Sequence, residues 1–351
     1  MASRRSVRRQ RGAALIVAML VFALATALVV AMKGEFNRFY QRSANILLEE
    51  QAQAYLRSAE ELAGTVLLAD YDQDKTRGLP RDDLQELWNP VLPPTYPLDE
   101  GWMRGTLEDL QGRFNLNRLA KRPQGGQGAV ASRFTPAQEQ FIRLLQALGD
   151  PPVSEQDAIL ITESVSDWLD ADTEPSPDGA EDDYYGSQTP AYRAANRSMS
   201  SVSELRAVAN MTPDIFQALA PWVTVWPAEP APLNIHTAPA MVLRSINADK
   251  DLSPLSEAEG ESLVDYRGDR GSDTGAPRES NFKDKNDFLA NPVFDGKQEN
   301  MTGIKALLGE NTNYFLLNAE VEVAGMNMRL YSVLDRSNRK ISAIARASGS
   351  L

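Results

Sequence analysis

The chain contains no cysteine and a single histidine, His236. The first absence removes disulfides, thiolate metal sites and a cysteine nucleophile. The second argues against a catalytic triad or a multi-histidine metal centre within one chain. A basic excess is missing too: 36 Lys and Arg face 48 Asp and Glu across 351 residues, a formal charge of −12. That sign is wrong for a generic nucleic-acid binder. Neither an enzyme of the common hydrolase types nor a nucleic-acid partner is expected. Proline does not occur before Pro80, so nothing of that kind interrupts a helix near the N-terminus. Apolar residues make up 42%, enough for most of the chain to fold.

Charge is placed unevenly. Arg4, Arg5, Arg8, Arg9 and Arg11 precede an acidic remainder, in which 36 − 5 = 31 basic residues face 48 acids. Residues 13–32, AALIVAMLVFALATALVVAM, carry no charge, and their one polar residue is Thr26. About 20 apolar residues span a bilayer as a helix. The arginines fix the N-terminal end in the cytoplasm, while Lys33, Glu35 and Arg38 form a mixed flank. The chain is therefore expected to cross the inner membrane once, with its body in the periplasm. An ordinary secretory signal has a shorter apolar core and small residues at its cleavage site; here Lys33-Gly34-Glu35 follows the apolar run. A basic leader ending at Gly12, with the apolar helix starting at Ala13, resembles a type IV pilin-like leader cut after Gly12 by a prepilin peptidase. A plain uncleaved anchor is the alternative on these 32 residues alone.

Beyond the span, Leu48, Ala52, Tyr55, Ala59, Leu62 and Val66 recur at helical spacing. One helix from Ala13 to Ala69 has 57 residues and a length of about 85 Å. Its second half must lie on a globular domain, as in pilins. Pilins and major pseudopilins generally begin the mature chain with Phe and carry Glu at its fifth position. Here those positions hold Ala13 and Val17. That carboxylate is costly in an apolar setting and neutralises a neighbour's N-terminal amine in a filament. A subunit without it suits the tip.

Residues 70–100 read as irregular and proline-rich, with short strands around Gly112. Gln124-Gly-Gly-Gln-Gly128 is a flexible loop without a phosphate-loop context. Helices are expected from Pro136, capped by Thr135, to Gly149, and over Ser154–Leu169, Ser201–Ala209 and Pro213–Leu219, before a strand at Val223–Trp226. A helix capped at Thr237 runs to Ile246, and another spans Glu257–Tyr266. FNLNRLA at 114–120 and LNIHTAP at 233–239 are self-similar, each opening a helical region. Alternating residues 314–323, 327–334 and 341–345 predict antiparallel hairpins. The fold class is α+β, a type IV pilin-like fold with a large helical insertion. The division is 1–12 leader, 13–32 transmembrane helix, 33–118 first part of the pilin-like domain, 119–222 inserted helical domain and 223–351 its remainder.

Five segments together resemble the minor pseudopilin K family of type II secretion systems: RRQRGAALIV at 8–17, GRFNLN at 112–117, SDWLDADTEPSPDGAEDDYY at 166–185, PAYRAANRSMSSVSELR at 190–206 and LNIHTAPAMVL at 233–243. The resemblance covers nearly the whole chain. It implies a subunit that caps the pseudopilus tip with two other minor pseudopilins, helps start assembly on the major pseudopilin filament, and serves export of folded exoproteins. The helix from Leu48 to Val66 is expected to pack against those two partners.

Asp167 to Asp183 holds Asp167, Asp170, Asp172, Glu174, Asp178, Glu181, Asp182 and Asp183 with no basic residue among them. Such density repels itself unless a hard cation takes the oxygens, or the run is a solvated loop. Asp170-x-Asp172 resembles the start of a calcium loop, although Pro175 stands where an EF-hand needs glycine. With the family resembling calcium-binding pseudopilins, the expectation is a structural calcium ion held by Asp170, Asp172, Glu181 and Asp182. Asp70, Asp72 and Asp74 read as a solvated helix end, and His236 as a local hydrogen-bonding residue. One alternative function is a DNA-uptake module, because LNIHTAPAMVL resembles half of a helix-hairpin-helix; its hairpin at 247–253 is acidic and lacks glycine. A membrane-anchored glycosidase needs two opposed carboxylates, which nothing in the sequence pairs.

Overall fold

The computed structural model describes residues 11–78, 81–90, 94–120, 133–268 and 280–348. Most of the leader and the glycine-rich loop at 124–128 lie outside them. Helix α1 runs from Arg11 to Arg77, 67 residues, or about 100 Å, eight residues past the expected end. Among the described residues nothing buries the apolar window of its N-terminal half, and it is the one helix there that is long and apolar enough to cross a membrane. From Leu48 onward one side is covered: Ala52, Leu56, Ala59, Ala63 and Leu67 are buried. Leu62, placed on that face by spacing, is 38% exposed, because the buried stripe follows the 52–56–59–63–67 line instead.

The sheet beneath α1 is antiparallel, in the order β1 (Thr95–Leu98), β2 (Gly101–Asp109), β7 (Tyr314–Val323), β8 (Met326–Asp335), β9 (Ser342–Ala347). Strand β7 alternates strictly between buried and half-buried residues. Its buried set, Phe315, Leu317, Ala319, Val321 and Val323, meets the small residues of α1 in one core. Each large side chain there contributes about 1.5–3 kcal/mol. Small residues bring α1 close: a Cβ on Gly64 would lie 3.3 Å from Ile341. Strands β1 and β2 were not expected as such. Arg104, Glu108 and two glycines interrupt the apolar alternation of β2, and its register against β7 runs from Gly101↔Val323 to Asp109↔Phe315. The Leu48–Val66 face is thus spent on the protein's own sheet and is not free for partners.

Since β2 and β7 are neighbours, residues 110–313 form an insertion between adjacent strands, larger than the expected 119–222. It contains two cores. The first joins α2 (Pro136–Ala147), α3 (Glu155–Leu169), α4 (Asp182–Gly186) and α5 (Pro213–Leu219). A parallel pair closes it, β3 (Phe114–Asn115) on β4 (Val223–Thr224). The second packs α6 (Ala240–Leu243), α7 (Glu257–Arg267), α8 (Lys285–Leu289) and α9 (Thr302–Lys305). Its parallel pair is β5 (Leu233–Asn234) on β6 (Leu308–Gly309). The two self-similar segments are thus the entry strands of two similarly closed units. Their asparagines act alike. Asn115 Nδ2 donates to the Pro227 carbonyl while its Oδ1 accepts the Asn117 N–H, and Asn234 Nδ2 donates to the Asp82 carbonyl while its Oδ1 accepts the His236 N–H. Thr237 does not cap a helix; its hydroxyl donates to Asp109 at 2.5 Å, and α6 starts after Pro239. Residues 202–207 form a 3-10 helix rather than an α-helix. Buried Arg143 ties the cores together by donating to the carbonyls of Ser245, Ala248 and Asp251.

The end of α1 is not solvated as expected. Asp70 and Asp74 are buried and lie with Asp82 and Glu86 so that one carboxylate oxygen of each falls within 4.8 Å of the others. Arg336 pairs Asp70 at 3.0 Å and also Asp82, fastening α1 to the end of β8. Only Asp72 faces outward, on Arg339 at 2.7 Å. Burial, then the charges of Asp70 and Asp82, pushes Glu86 up to about 9; burial and Asp82 push Asp70 up to about 6. The folded state then holds a proton that the unfolded state releases. By linkage, stability is highest below the unfolded carboxyl range and falls as pH rises through the folded value. The thermal transition of the detergent-solubilised chain should drop by several degrees between pH 7 and pH 9, and Glu86→Gln should flatten that slope. A transition that rises with pH in this window contradicts the assignment.

Candidate metal centre

The acidic run lies between the end of α3 and the start of α4. Ser154 caps α3 at its start, and Asp170 leaves its last turn in extended conformation with its N–H on the Ser166 carbonyl. Glu181 occupies the N-cap of α4 without making a side-chain cap. Its carboxylate turns instead toward Asp170 and Asp172, and one oxygen of each of the three falls within 4.8 Å of the others. Asp170 and Glu181 are buried, while Asp172 is exposed. Asp182 is not drawn in: its Oδ1 accepts the Ala194 N–H at 3.1 Å.

The remaining acids shape the loop. Asp167 is buried and accepts the Ser176 N–H and hydroxyl at 3.0 and 2.6 Å. A Cβ on Gly179 would stand 1.9 Å from Asp167 Oδ2, so the chain needs glycine there. Glu163 accepts the Asp178 N–H at 2.6 Å, and Arg133 bridges Glu163 and Asp178 at 2.9 and 2.5 Å. Arg133 lies more than thirty positions upstream, so part of the neutralisation comes from outside the run.

Glu181 is the informative residue. It is 4% exposed, and both of its carboxylate oxygens lack a hydrogen-bond partner among the described residues. Burial, then the charges of Asp167 and Asp170, pushes its pKa up to about 7. A buried carboxylate with neither partner nor cation is costly. An all-oxygen donor set suits a hard divalent ion of the calcium type. Asn196, which the sequence offers within the motif that follows the acidic run, was not expected at the site. Its Nδ2 donates to the Asp172 carbonyl and its N–H to the Trp168 carbonyl, both at 3.0 Å, while its buried Oδ1 has no partner among the described residues. The left-handed backbone at this position, φ 47°, is one that asparagine tolerates. That residue type after an acidic loop was the available signal. Trp168 meets Tyr185 and Tyr192 edge-on at 5.2 and 6.4 Å, and the two tyrosines lie tilted against each other at 5.2 Å.

His236 is buried elsewhere, with Nδ1 at 2.9 Å from the Ser280 hydroxyl. Burial, then Arg81 and Arg267, lowers its pKa to about 3, so the ring stays neutral.

The family model for type II secretion system (T2SS) protein K matches residues 112–228, the unit that contains this centre. The chain is 35% identical over 346 residues to the type II secretion system protein K of Pseudomonas aeruginosa, covering 97% of this chain and 94% of that one. It is 30% identical over 345 residues to the protein of the same name from Pectobacterium carotovorum subsp. carotovorum, covering 97% of each. Among solved structures, the GspK-GspI-GspJ complex from the enterotoxigenic Escherichia coli type 2 secretion system contains a similar chain. Its TM-score is 0.71 at 26% identity, over 88% of this chain and all of that one.

Proposed function

We propose, for a chain that belongs to the type II secretion system protein K family and is a minor pseudopilin anchored by one apolar helix, that it is the terminal subunit of the pseudopilus. In this reading it serves assembly and export structurally, without catalysis. It stands in the inner membrane with its body in the periplasm, and is processed between Gly12 and Ala13 by a prepilin peptidase. The observation that carries the reading is the insertion of residues 110–313 between neighbouring strands β2 and β7. A repeating subunit must fit between copies above and below, and two extra helical cores oppose that; a tip has nothing above it. Val17, where filament subunits hold Glu, points the same way. The partners are two other minor pseudopilins, as in the similar solved complex, with the major pseudopilin filament below. A DNA-uptake role is not favoured, because the backbone of the 247–253 segment is engaged by Arg143 and Gln146 of α2, where the two cores meet. The tagged full-length chain, purified in detergent from cells that express the whole system, should recover the two partners at 1:1:1. Its intact mass should start at Ala13. A homopolymer, or a mature start at Met1 or beyond Met32, contradicts the reading.

Calcium is part of the same proposal. Asp170, Asp172 and Glu181 would hold the ion, with the Asn196 amide oxygen beside them, and Asp182 holds the Ala194 backbone instead. The ion supplies structure: its two charges offset most of the charge of three carboxylates, and it pins the irregular segment 170–200 to the end of α3. Binding only to the folded state stabilises it by about 2.7 kcal/mol at a hundredfold excess over Kd. Chelation should therefore lower the thermal transition of the wild-type chain. Glu181→Gln should lose this response while the chelated variant melts no lower than chelated wild type, since it buries no unpaired charge. A transition unmoved by chelation in the wild type contradicts a structural ion.

A further inference from the structure

The buried arginines Arg336, Arg143 and Arg81 each meet an acid: Asp70 and Asp82 for the first, Glu139 at 3.6 Å for the second and Asp83 at 3.4 Å for the third. Arg118 is held differently. It is half-buried and donates to two backbone carbonyls, those of Ala231 and, at 3.2 Å, Leu307. Among the described residues no carboxylate pairs with it. Burial alone lowers its pKa, to about 10, with no neighbouring charge acting against that. A guanidinium drawn out of water without a counter-charge is costly. Two carbonyls also leave part of its planar fork of N–H donors unspent, the geometry that takes a carboxylate by two parallel bonds.

That side chain lines a cleft of about 850 Å³, within the roughly 300–1,000 Å³ of ligand pockets, which favour the junctions between structural units. Here the two helical cores meet. Pro136 and Ala137, in the first turn of α2, contribute from one core, and Ala306 and Leu307, just past α9, from the other. These surfaces are apolar, and the start of α2 adds the positive end of a helix dipole. Asp172 is the one acid among the described lining residues. One cation and one acid leave no excess positive charge for a dianion such as phosphate, whereas one carboxylate matches one guanidinium. The apolar walls suit a hydrocarbon body next to it. We infer that this cleft binds a monocarboxylate with an apolar body, its carboxylate seated on the Arg118 guanidinium. Such a ligand lies beside the acidic centre, which shares Asp172 with the cleft, and its binding is independent of where the subunit stands in a filament.

The test titrates the full-length chain in lipid nanodiscs by calorimetry with two pairs of probes. One pair is cyclohexanecarboxylate and its uncharged amide; the other is an acetylated alanyl-alanyl-leucine peptide with a free C-terminal carboxylate and the same peptide amidated. At least one carboxylate should bind about tenfold or more tightly than its amide. A tighter small acid then assigns a free carboxylate as the ligand, and a tighter peptide assigns a chain end. Arg118→Gln should bring the carboxylate down to the affinity of the amide. Because Arg118 also ties two carbonyls, Ala306→Trp serves as a second variant: Ala306 is exposed in the cleft wall, so the bulkier side chain should weaken the carboxylate by a similar factor without moving the thermal transition. Equal binding of carboxylate and amide in both pairs, no binding below about 1 mM, undiminished affinity in either folded variant, or displacement by inorganic phosphate at least as strong as by the carboxylate overturns the assignment.

Discussion

The contact between the small-residue face of α1 and the buried alternate residues of β7 is the constraint on which the molecule depends. A helix of 67 residues has no reason to stay straight and oriented unless part of it is fixed. Ala52, Ala59 and Ala63 let it settle closely on Phe315, Leu317 and Val321, and Gly64 lets it approach Ile341. Arg346 reinforces the contact on Glu60 at 2.7 Å, and Arg336 on Asp70 at 3.0 Å. The first of these pairs is exposed and worth little; the second is buried, and loss of one partner would strand a charge. With its C-terminal half so committed, α1 projects its apolar half as a rigid stalk.

The same sheet tolerates the insertion. Strands β2 and β7 pair along their whole length, so the chain between them starts and ends at one place. Loop-closure entropy grows slowly with length, and what matters is that the inserted chain finds its own cores. It does so twice, each time entering on a short strand whose asparagine side chains stand in for backbone partners. Asn115 donates to the Pro227 carbonyl at 2.8 Å, and Asn234 performs the corresponding task near Asp82. The acidic centre hangs on the first of these units, where an irregular stretch from 170 to 200 has little regular structure to hold it.

What the sequence reveals follows from where its signals are local. The uncharged run at 13–32, the Thr135 capping box before Pro136, and the period-two strand 314–323 each carry their physics within a few residues, and each element stands where it reads. Strand β2 was hidden because glycines and charges break its alternation and its partner lies more than 200 positions away. The buried fate of Asp70 and Asp74 depends on Arg336, and no local pattern announces a counter-ion that distant. In the acidic run, three of the four expected ligands converge because Asp170 ends one helix and Glu181 opens the next. Asp182 points elsewhere because the turn of α4 directs it to Ala194. Asn196 was legible as part of a motif but not as a site residue, because its place there comes from contacts to the Trp168 and Asp172 carbonyls.

The central claim is that a chain whose helix is committed to its own sheet, and whose sheet carries two added cores, occupies one end of a filament and no other place in it. The most direct measurement is electron microscopy of pseudopili from cells in which this chain carries a gold-binding label at its C-terminus. The account predicts one label at a single filament end. Labels repeated along the shaft would contradict it.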